Sequence, residues 1–246
     1  MKCVVLAAGY ATRLYPLTEN FPKPLLTVGE KPILNWLLDD IDALPEITGH
    51  VVISNHKFIE HFESWKERQN YQHPIELLDD GSVDNEHRLG AVKDIQFAID
   101  SLGLQEDLLV IAGDNVLDFS FGEFLVFAKE KGTSCVMCHE ENELAKQQKT
   151  AIIVRNENAL ITSYEEKPRE PKGNLAVPPF YYYRAVDAAR ISEALEKGCN
   201  ADAPGSFAAW LSKQTDVHAW KMTGKRYDIG DLKSYEYVQE VFKSKE

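Results

Sequence analysis

Residues 2–13 read KCVVLAAGYATR: an apolar run from Cys3 to Ala7 that gives way at once to small residues and a cation. The run has no polar alternation, which fits a strand buried on both faces of a largely parallel sheet. Similar short runs recur at Val51 to Ser54, Leu108 to Ala112 and Cys135 to Met137. Between them lie helical periods. Leu34, Leu37, Leu38, Ile41 and Leu44 share one helix face, as do Phe58, Phe62 and Trp65, and then Phe121, Phe124, Leu125 and Ala128. Strand and helix in alternation predict an α/β fold.

The texture changes near residue 145. TAIIVRN, ALITSYEEK and PPFYYYRA read as strands with little helix between them, an antiparallel addition, followed by a helix from about Val186 to Lys197. Residues 200–214 and Leu232 to Phe242 look helical, with Val217 to Met222 as one more strand. No repeat, low-complexity tract or linker interrupts the chain, so 1–246 is expected to form one domain of two halves, 1–145 and 146–246.

Composition narrows the function classes. With 44% hydrophobic and 27% charged residues in 246, the chain can build a core and is not disordered. Its 27 Lys and Arg against 39 Asp and Glu give a net charge of −12, which opposes any broad nucleic-acid footprint and leaves phosphate to be bound locally. Four cysteines, Cys3, Cys135, Cys138 and Cys199, are too scattered for a disulfide framework. Cys135 and Cys138 form C-x-x-C within a strand-like run without a second pair, so buried thiols are expected rather than zinc. The first apolar stretch is too short for a signal segment, and nowhere do about 18 apolar residues follow one another. A soluble, cytoplasmic protein without a membrane partner is expected.

Chemistry concentrates where the first strand ends. Leu6, Ala7, Ala8, Gly9, Tyr10, Ala11 and Thr12 lead into Arg13 at the carboxyl edge of the sheet, where open α/β sheets bind ligands. Small residues admit a ligand to the backbone N–H groups, and these donors with Arg13 suit a polyphosphate, although the same stretch also reads as an ordinary tight turn. The spacing is neither G-x-G-x-x-G nor a Walker loop. Lys23 stands between Pro22 and Pro24, which fix the local backbone around a long cation; a solvated turn lysine is the other reading.

Taken whole, LAAGYATRLYPLTENFPKPLL (residues 6–26) resembles the signature of the sugar-1-phosphate nucleotidyltransferases, of the glucose-1-phosphate thymidylyltransferase type. Three further motifs follow in the same order. Asp114 ends the run LLVIAGDN, Tyr164-Glu165-Glu166-Lys167-Pro168 is similar to the family's E-E-K-P element, and Tyr227-Asp228-Ile229-Gly230-Asp231 is similar to its D-x-G element. The resemblance implies a mixed, mostly parallel sheet sandwiched by helices, Rossmann-like and GT-A-like, with a small β-rich lobe on the sugar side. It implies a nucleotide-binding first half and an acceptor-binding second half. The reaction implied is nucleotidyl transfer from a nucleoside triphosphate to a sugar 1-phosphate, with pyrophosphate leaving and an NDP-sugar formed for polysaccharide assembly. Arg13 and Lys23 would be catalytic, and Leu6 to Arg13 with Asp80, Gly90 and Gly113 would bind the nucleotide. Glu166, Lys167 and Tyr182 would bind the acceptor, and Asp114 and Asp228 would hold Mg²⁺. Such a chain is expected to stand alone, without the appended domains of some relatives, and an oligomer is compatible with the family.

Several positions depart from the family pattern. Ala11 stands where many relatives carry a second glycine, and Thr150-Ala151-Ile152-Ile153 replaces a glycine followed by valines near the sugar. The base-selecting loop, Leu78 to Ala91, lacks the usual glutamine or proline pattern; Asp79 or Asp80 either accepts a hydrogen bond from an amino-bearing base or lies in a turn. Tyr181, Tyr182 and Tyr183 put alternate rings on opposite faces of a strand, as core or as an aromatic wall. That wall keeps open a cytidylyltransferase acting on phosphocholine or another non-sugar phosphate. A nucleotide-binding module without turnover is the remaining alternative. His56 reads as an ordinary residue beside a capping Asn55.

Overall fold

The computed structural model describes residues 1–243. In chain order the first elements are β1 (Lys2–Leu6), β2 (Thr27–Val28), β3 (Lys31–Pro32), α1 (Ile33–Asp42), β4 (Gly49–Ser54), α2 (Ile59–Lys66) and β5 (Ile75–Asp79). Then come α3 (Ala91–Leu102), β6 (Leu108–Ala112), β7 (Asn115–Leu117), α4 (Gly122–Lys131), β8 (Ser134–Glu140), α5 (Leu144–Gln147), β9 (Ala151–Arg155) and β10 (Ile161–Glu166). The last are β11 (Leu175–Val177), β12 (Phe180–Tyr183), α6 (Ala185–Ala188), α7 (Ile191–Glu196), α8 (Gly205–Leu211), β13 (Val217–Lys221), β14 (Arg226–Asp228) and α9 (Leu232–Lys243). The fold is a mixed α/β sheet flanked by helices, as expected.

The two halves are not sequential. One compact unit holds Lys2–Leu89, Ala112–Phe121 and the chain from Gly224; the other holds Met1, Gly90–Ile111 and Gly122–Thr223. The chain passes between the units several times, and short returns such as 112–121 carry no composition signal of their own.

In the first unit β1, β4 and β5 pair in parallel, with Leu6 opposite Ile53 and Ser54 opposite Asp79. All six residues of β4 are buried, so the run needs no polar alternation. A buried imidazole, His50, meets Asp42 at 2.9 Å, and the same carboxylate accepts the backbone N–H groups of Gln72 and His73. A buried carboxylate is tolerable because its oxygens are satisfied. A second cluster of Leu14, Val28, Ile33, Val116, Ile229 and Val238 packs α9 and the β7–β14 pair together. In that antiparallel pair Asp228 lies opposite Asn115.

The second unit carries the antiparallel addition. β12 pairs antiparallel with both β6 and β8, β9 pairs with β10 and β11, and β13 runs parallel to β8. Cys135 and Cys138 are buried on β8 with thiols pushed up by burial, to about 12 and about 11. Three residues apart on a strand, they point to opposite faces and cannot share one tetrahedral ion.

Two helices differ from expectation. The predicted helix over 186–197 is α6 and α7, separated at Ala189–Arg190. Asp187 is buried and accepts a hydrogen bond from Ser134 Oγ at 2.7 Å, which pins the first turn to β8. Residues 200–214 are helical only over α8, because the carbonyls of Ala201 and Asp202 are spent on the first N–H groups of α3. Helix α3 itself escaped the sequence reading: its buried face is Val92, Asp94, Ile95 and Ala98, too small and too polar to stand out.

Candidate active site

Asn55 builds the loop after β1 from below. Its Oδ1 accepts the N–H of Phe58 and its Nδ2 donates to the carbonyl of Ala8 at 2.9 Å, so the residue read as a helix cap also ties down the loop. Ala7 N–H donates to Ile53 carbonyl. Tyr10 is buried, with its hydroxyl on the carbonyl of Ser82, and so anchors the loop through its ring. Ala11 has φ 46°, ψ 42°, the left-handed region, and its carbonyl accepts Thr18 Oγ1 and the N–H of Leu14. Glycine adopts this conformation freely whereas alanine costs about 1 kcal/mol, which explains why a glycine is common there. Thr12 opens the single turn that carries Arg13.

Gly9 is different. A Cβ built on it meets no protein atom within 4 Å, so neither packing nor backbone conformation requires glycine there. The space beside it is open. Gly9→Ala is expected to leave thermal stability within about 0.5 kcal/mol of the parent, as for a surface change, while weakening triphosphate binding measured by calorimetry. Unchanged nucleotide affinity would remove the loop from the binding surface.

Leu6, Ala7, Gly9, Ala11 and Arg13 line a cavity of about 180 Å³ together with Lys23, Pro24, Ala112, Asp114 and Gly230. Pro22 and Pro24 bound the turn of Lys23, whose side chain is 8% exposed and whose Nζ lies 2.7 Å from Asp114 Oδ2. Burial pushes the Asp114 carboxyl up, but the charge and hydrogen bond of Lys23 and the charge of Arg226 outweigh it and hold it below the usual range. Gly113 closes the wall behind: its N–H donates to Leu6 carbonyl, and a Cβ on it would lie 3.1 Å from Val5.

Gly230, in the turn before α9, completes the lining, and the charged residues of β14 stand beside it. Arg226 donates through Nε to Asn115 Oδ1 at 2.6 Å and sits 3.1 Å from Asp228 Oδ1. Asn115, fully buried, passes its amide on to Asp114 Oδ1 at 2.6 Å. A chain of contacts thus joins Lys23, Asp114, Asn115, Arg226 and Asp228. Arg13 joins them at Gly230, where a Cβ would lie 3.7 Å from its Nη2 and 3.8 Å from Asp228 Oδ2. Asn115 and Arg226 carry little local signal in the sequence beyond an asparagine next to the aspartate and an arginine two before Asp228.

A larger cavity of about 540 Å³, lined by Gly29, Lys31, Trp36, Asp118 and Phe242, includes none of these residues. The smaller one is the candidate site because Arg13, Lys23 and Asp114 all line it.

Asp79 ends β5 and Asp80 follows it, and their carboxylates cap the backbone of the next residues. Asp79 accepts the N–H of Gly81 and meets His56 Nδ1 at 2.6 Å; Asp80 Oδ1 accepts both the N–H and the hydroxyl of Ser82. Asp80 Oδ2 is buried without a partner, and burial raises this carboxyl.

The expected acceptor residues lie in the other unit. Glu166 Oε2 and Tyr164 Oη are both buried without a hydrogen-bond partner, and both stand 2.8 Å from where a Cβ on Gly205 would be, with Tyr181 Oη at 3.4 Å. Burial raises the Glu166 carboxyl. Lys167 adopts φ 48°, an uncommon conformation for lysine, with its N–H on Thr150 carbonyl. Tyr182 is not part of this group. It faces the opposite side of β12 from Tyr181 and Tyr183, and its hydroxyl is held by Asp107, so Tyr181 rather than Tyr182 stands beside Glu166 and Tyr164. Gly90 also belongs to this unit and is packed against the backbone of Ala201.

The nucleotidyl transferase family profile matches residues 2–244, nearly the whole chain. The chain belongs to that family. The nucleotidyltransferase is 27% identical over 241 residues to the UTP–glucose-1-phosphate uridylyltransferase AglF of Haloferax volcanii, covering 94% of this chain and 91% of that one. It is 28% identical to the bifunctional protein GlmU of Methanocaldococcus jannaschii over 94% of this chain, which spans 51% of that relative's length. Its fold superposes on a UDP-glucose pyrophosphorylase crystallised with UDP-glucose with a TM-score of 0.85 at 20% identity, covering 100% and 99% of the two chains. Among the described residues no helix is long and apolar enough to cross a membrane.

Proposed function

We propose that this nucleotidyltransferase moves a nucleotidyl group from a nucleoside triphosphate to a sugar 1-phosphate, releasing pyrophosphate. The observation that carries the reading is the convergence of Arg13, Lys23 and Asp114 on one small cavity beside Gly9, with Asp228 Oδ2 3.8 Å from a Cβ built on the lining residue Gly230, supported by relatives named for this chemistry. Transfer brings two anions together in line. The obstacle is repulsion, and it is met by positioned charge rather than by a protein nucleophile.

The donor set suits Mg²⁺. Among the described residues no cluster of three or more His, Cys, Asp or Glu gathers, so an all-protein cage is not built. Mg²⁺ is commonly held by one or two carboxylates with water and substrate phosphates completing the shell, and Asp114 and Asp228 supply those two. Bound there, it would neutralise charge on the transferring phosphoryl group. Lys23 and Arg13 add their charges to the same oxygens, and the Gly9 loop admits the triphosphate to backbone N–H groups. Glu166 and Lys167 would take the sugar hydroxyls and the sugar phosphate. The unpaired Oε2 of Glu166 and the hydroxyl of Tyr164 are polar atoms in want of a partner, which the hydroxyls of a sugar would supply.

The test is a pyrophosphate-release screen with Mg²⁺, crossing five nucleoside triphosphates with a panel of sugar 1-phosphates and phosphocholine. One productive sugar pair is expected, lost when Mg²⁺ is chelated. Turnover with phosphocholine alone would transfer the reading to a non-sugar acceptor, and binding without turnover in every pair would leave a nucleotide-binding module.

A further inference from the structure

We propose that Lys23 is the resident counter-ion of Asp114 and leaves it only when a polyphosphate is present to receive the ammonium group, so that bare divalent cation is kept out. The proposal rests on reading Asp114 and Asp228 as the cation's ligands. Both oxygens of Asp114 already accept a protein hydrogen bond: Oδ2 from Lys23 Nζ at 2.7 Å and Oδ1 from the amide of Asn115 at 2.6 Å. Asp228 is held in turn by Arg226. Two carboxylates thus face two protein cations, and the resting site carries no excess negative charge to attract a dication.

The geometry makes exchange costly unless it is concerted. Lys23 is 8% exposed. Detaching it from Asp114 leaves a poorly solvated ammonium group beside any incoming dication, and an unpaired buried charge is strongly unfavourable. Pro22 and Pro24 hold the backbone of the turn, so the ammonium group can travel only as far as its four-carbon stem swings. A triphosphate in the loop of Gly9 would offer it phosphate oxygens within that reach. Lys23 then exchanges one anionic partner for another, and Asp114 is freed at the same moment. Arg13 gives the contrast: it lies near the same cavity but makes no hydrogen bond to Asp114.

The test is Mn²⁺ binding to the full chain without nucleotide, read by electron paramagnetic resonance. Lys23→Met is expected to tighten Mn²⁺ binding at least about tenfold over the parent, because it removes the competing cation. Lys23→Gln, which keeps a donor for Asp114, is the second variant should Met leave the carboxylate too poorly supported to fold. Arg13→Met is expected to change the affinity far less. Parent-like or weaker affinity in both Lys23 variants would overturn the proposal, as would an equal gain in Arg13→Met, which would reduce the effect to a general field. If no protein, the parent with inorganic tripolyphosphate included, holds Mn²⁺ in a manner abolished by Asp114→Asn, the cation reading of the site falls and this proposal falls with it.

Discussion

Asp114→Asn is expected to lower kcat by about 10²–10³-fold, the range seen when a single transition-state charge contact is removed. Asparagine keeps the size of the side chain and an oxygen that can still accept from Lys23, so the cavity wall survives. What disappears is the negative charge that burial resists and that Lys23 and Arg226 sustain. Alanine would be a poorer test, because it strands Lys23 without a partner where only 8% of its side chain is exposed, and the resulting instability would mix with the kinetic loss. Steady-state turnover with the productive pair, alongside a melting curve, separates the two effects. Turnover within a few-fold of the parent would remove Asp114 from the chemistry and with it the metal assignment.

Which parts of this site the sequence made legible follows from how each residue earns its place. Lys23 was readable because two prolines flank it, and Asp114 because it ends a fully apolar run; both features are local. Arg226 and Asn115 were not, because their importance arises only when β14 pairs with β7 and sets Asp228 opposite Asn115 across more than a hundred residues of chain. The tyrosine strand shows the same limit at finer grain. Alternation of side chains said that Tyr182 differs in face from its neighbours, but no local rule said which face meets Glu166. All four residues of β12, an interior strand between β6 and β8, are buried, so no polar pattern remains to decide it. For the fold, β1, β4 and β6 announced themselves as apolar runs, whereas α3 hid because its core face uses an alanine and a buried aspartate. The interleaving of the two units was beyond reach for the same reason as Arg226: chain returns are set by pairing, not by composition.

Gly90→Ala is expected to cost about 3 kcal/mol or more of folding stability, against about 1 kcal/mol for Gly103→Ala at the other end of the same helix. Both glycines have positive φ, 96° and 60°, and both flank α3. They differ in what an added Cβ would meet. At Gly103 there is nothing within 4 Å, and its φ and ψ lie in the left-handed well that alanine enters at modest cost. At Gly90 the Cβ would lie 2.6 Å from the carbonyl oxygen of Ala201 and 3.0 Å from the Cα of Asp202, and φ 96°, ψ 150° is a region reserved almost entirely for glycine. Neither backbone can retreat freely. The carbonyl of Ala201 accepts the N–H of Val92, and that of Asp202 the N–H of Ala91, so the segment that would clash is also the segment that satisfies the start of α3. Moving it would strand two backbone donors as well as relieve one contact. The expected signature is a large loss of denaturation midpoint in Gly90→Ala with the transition slope preserved, beside a small loss in Gly103→Ala. If instead Gly90→Ala melts like the parent while its KM for the triphosphate rises, the glycine is there for the nucleotide, as the family resemblance implied, and the contact with Ala201 is incidental.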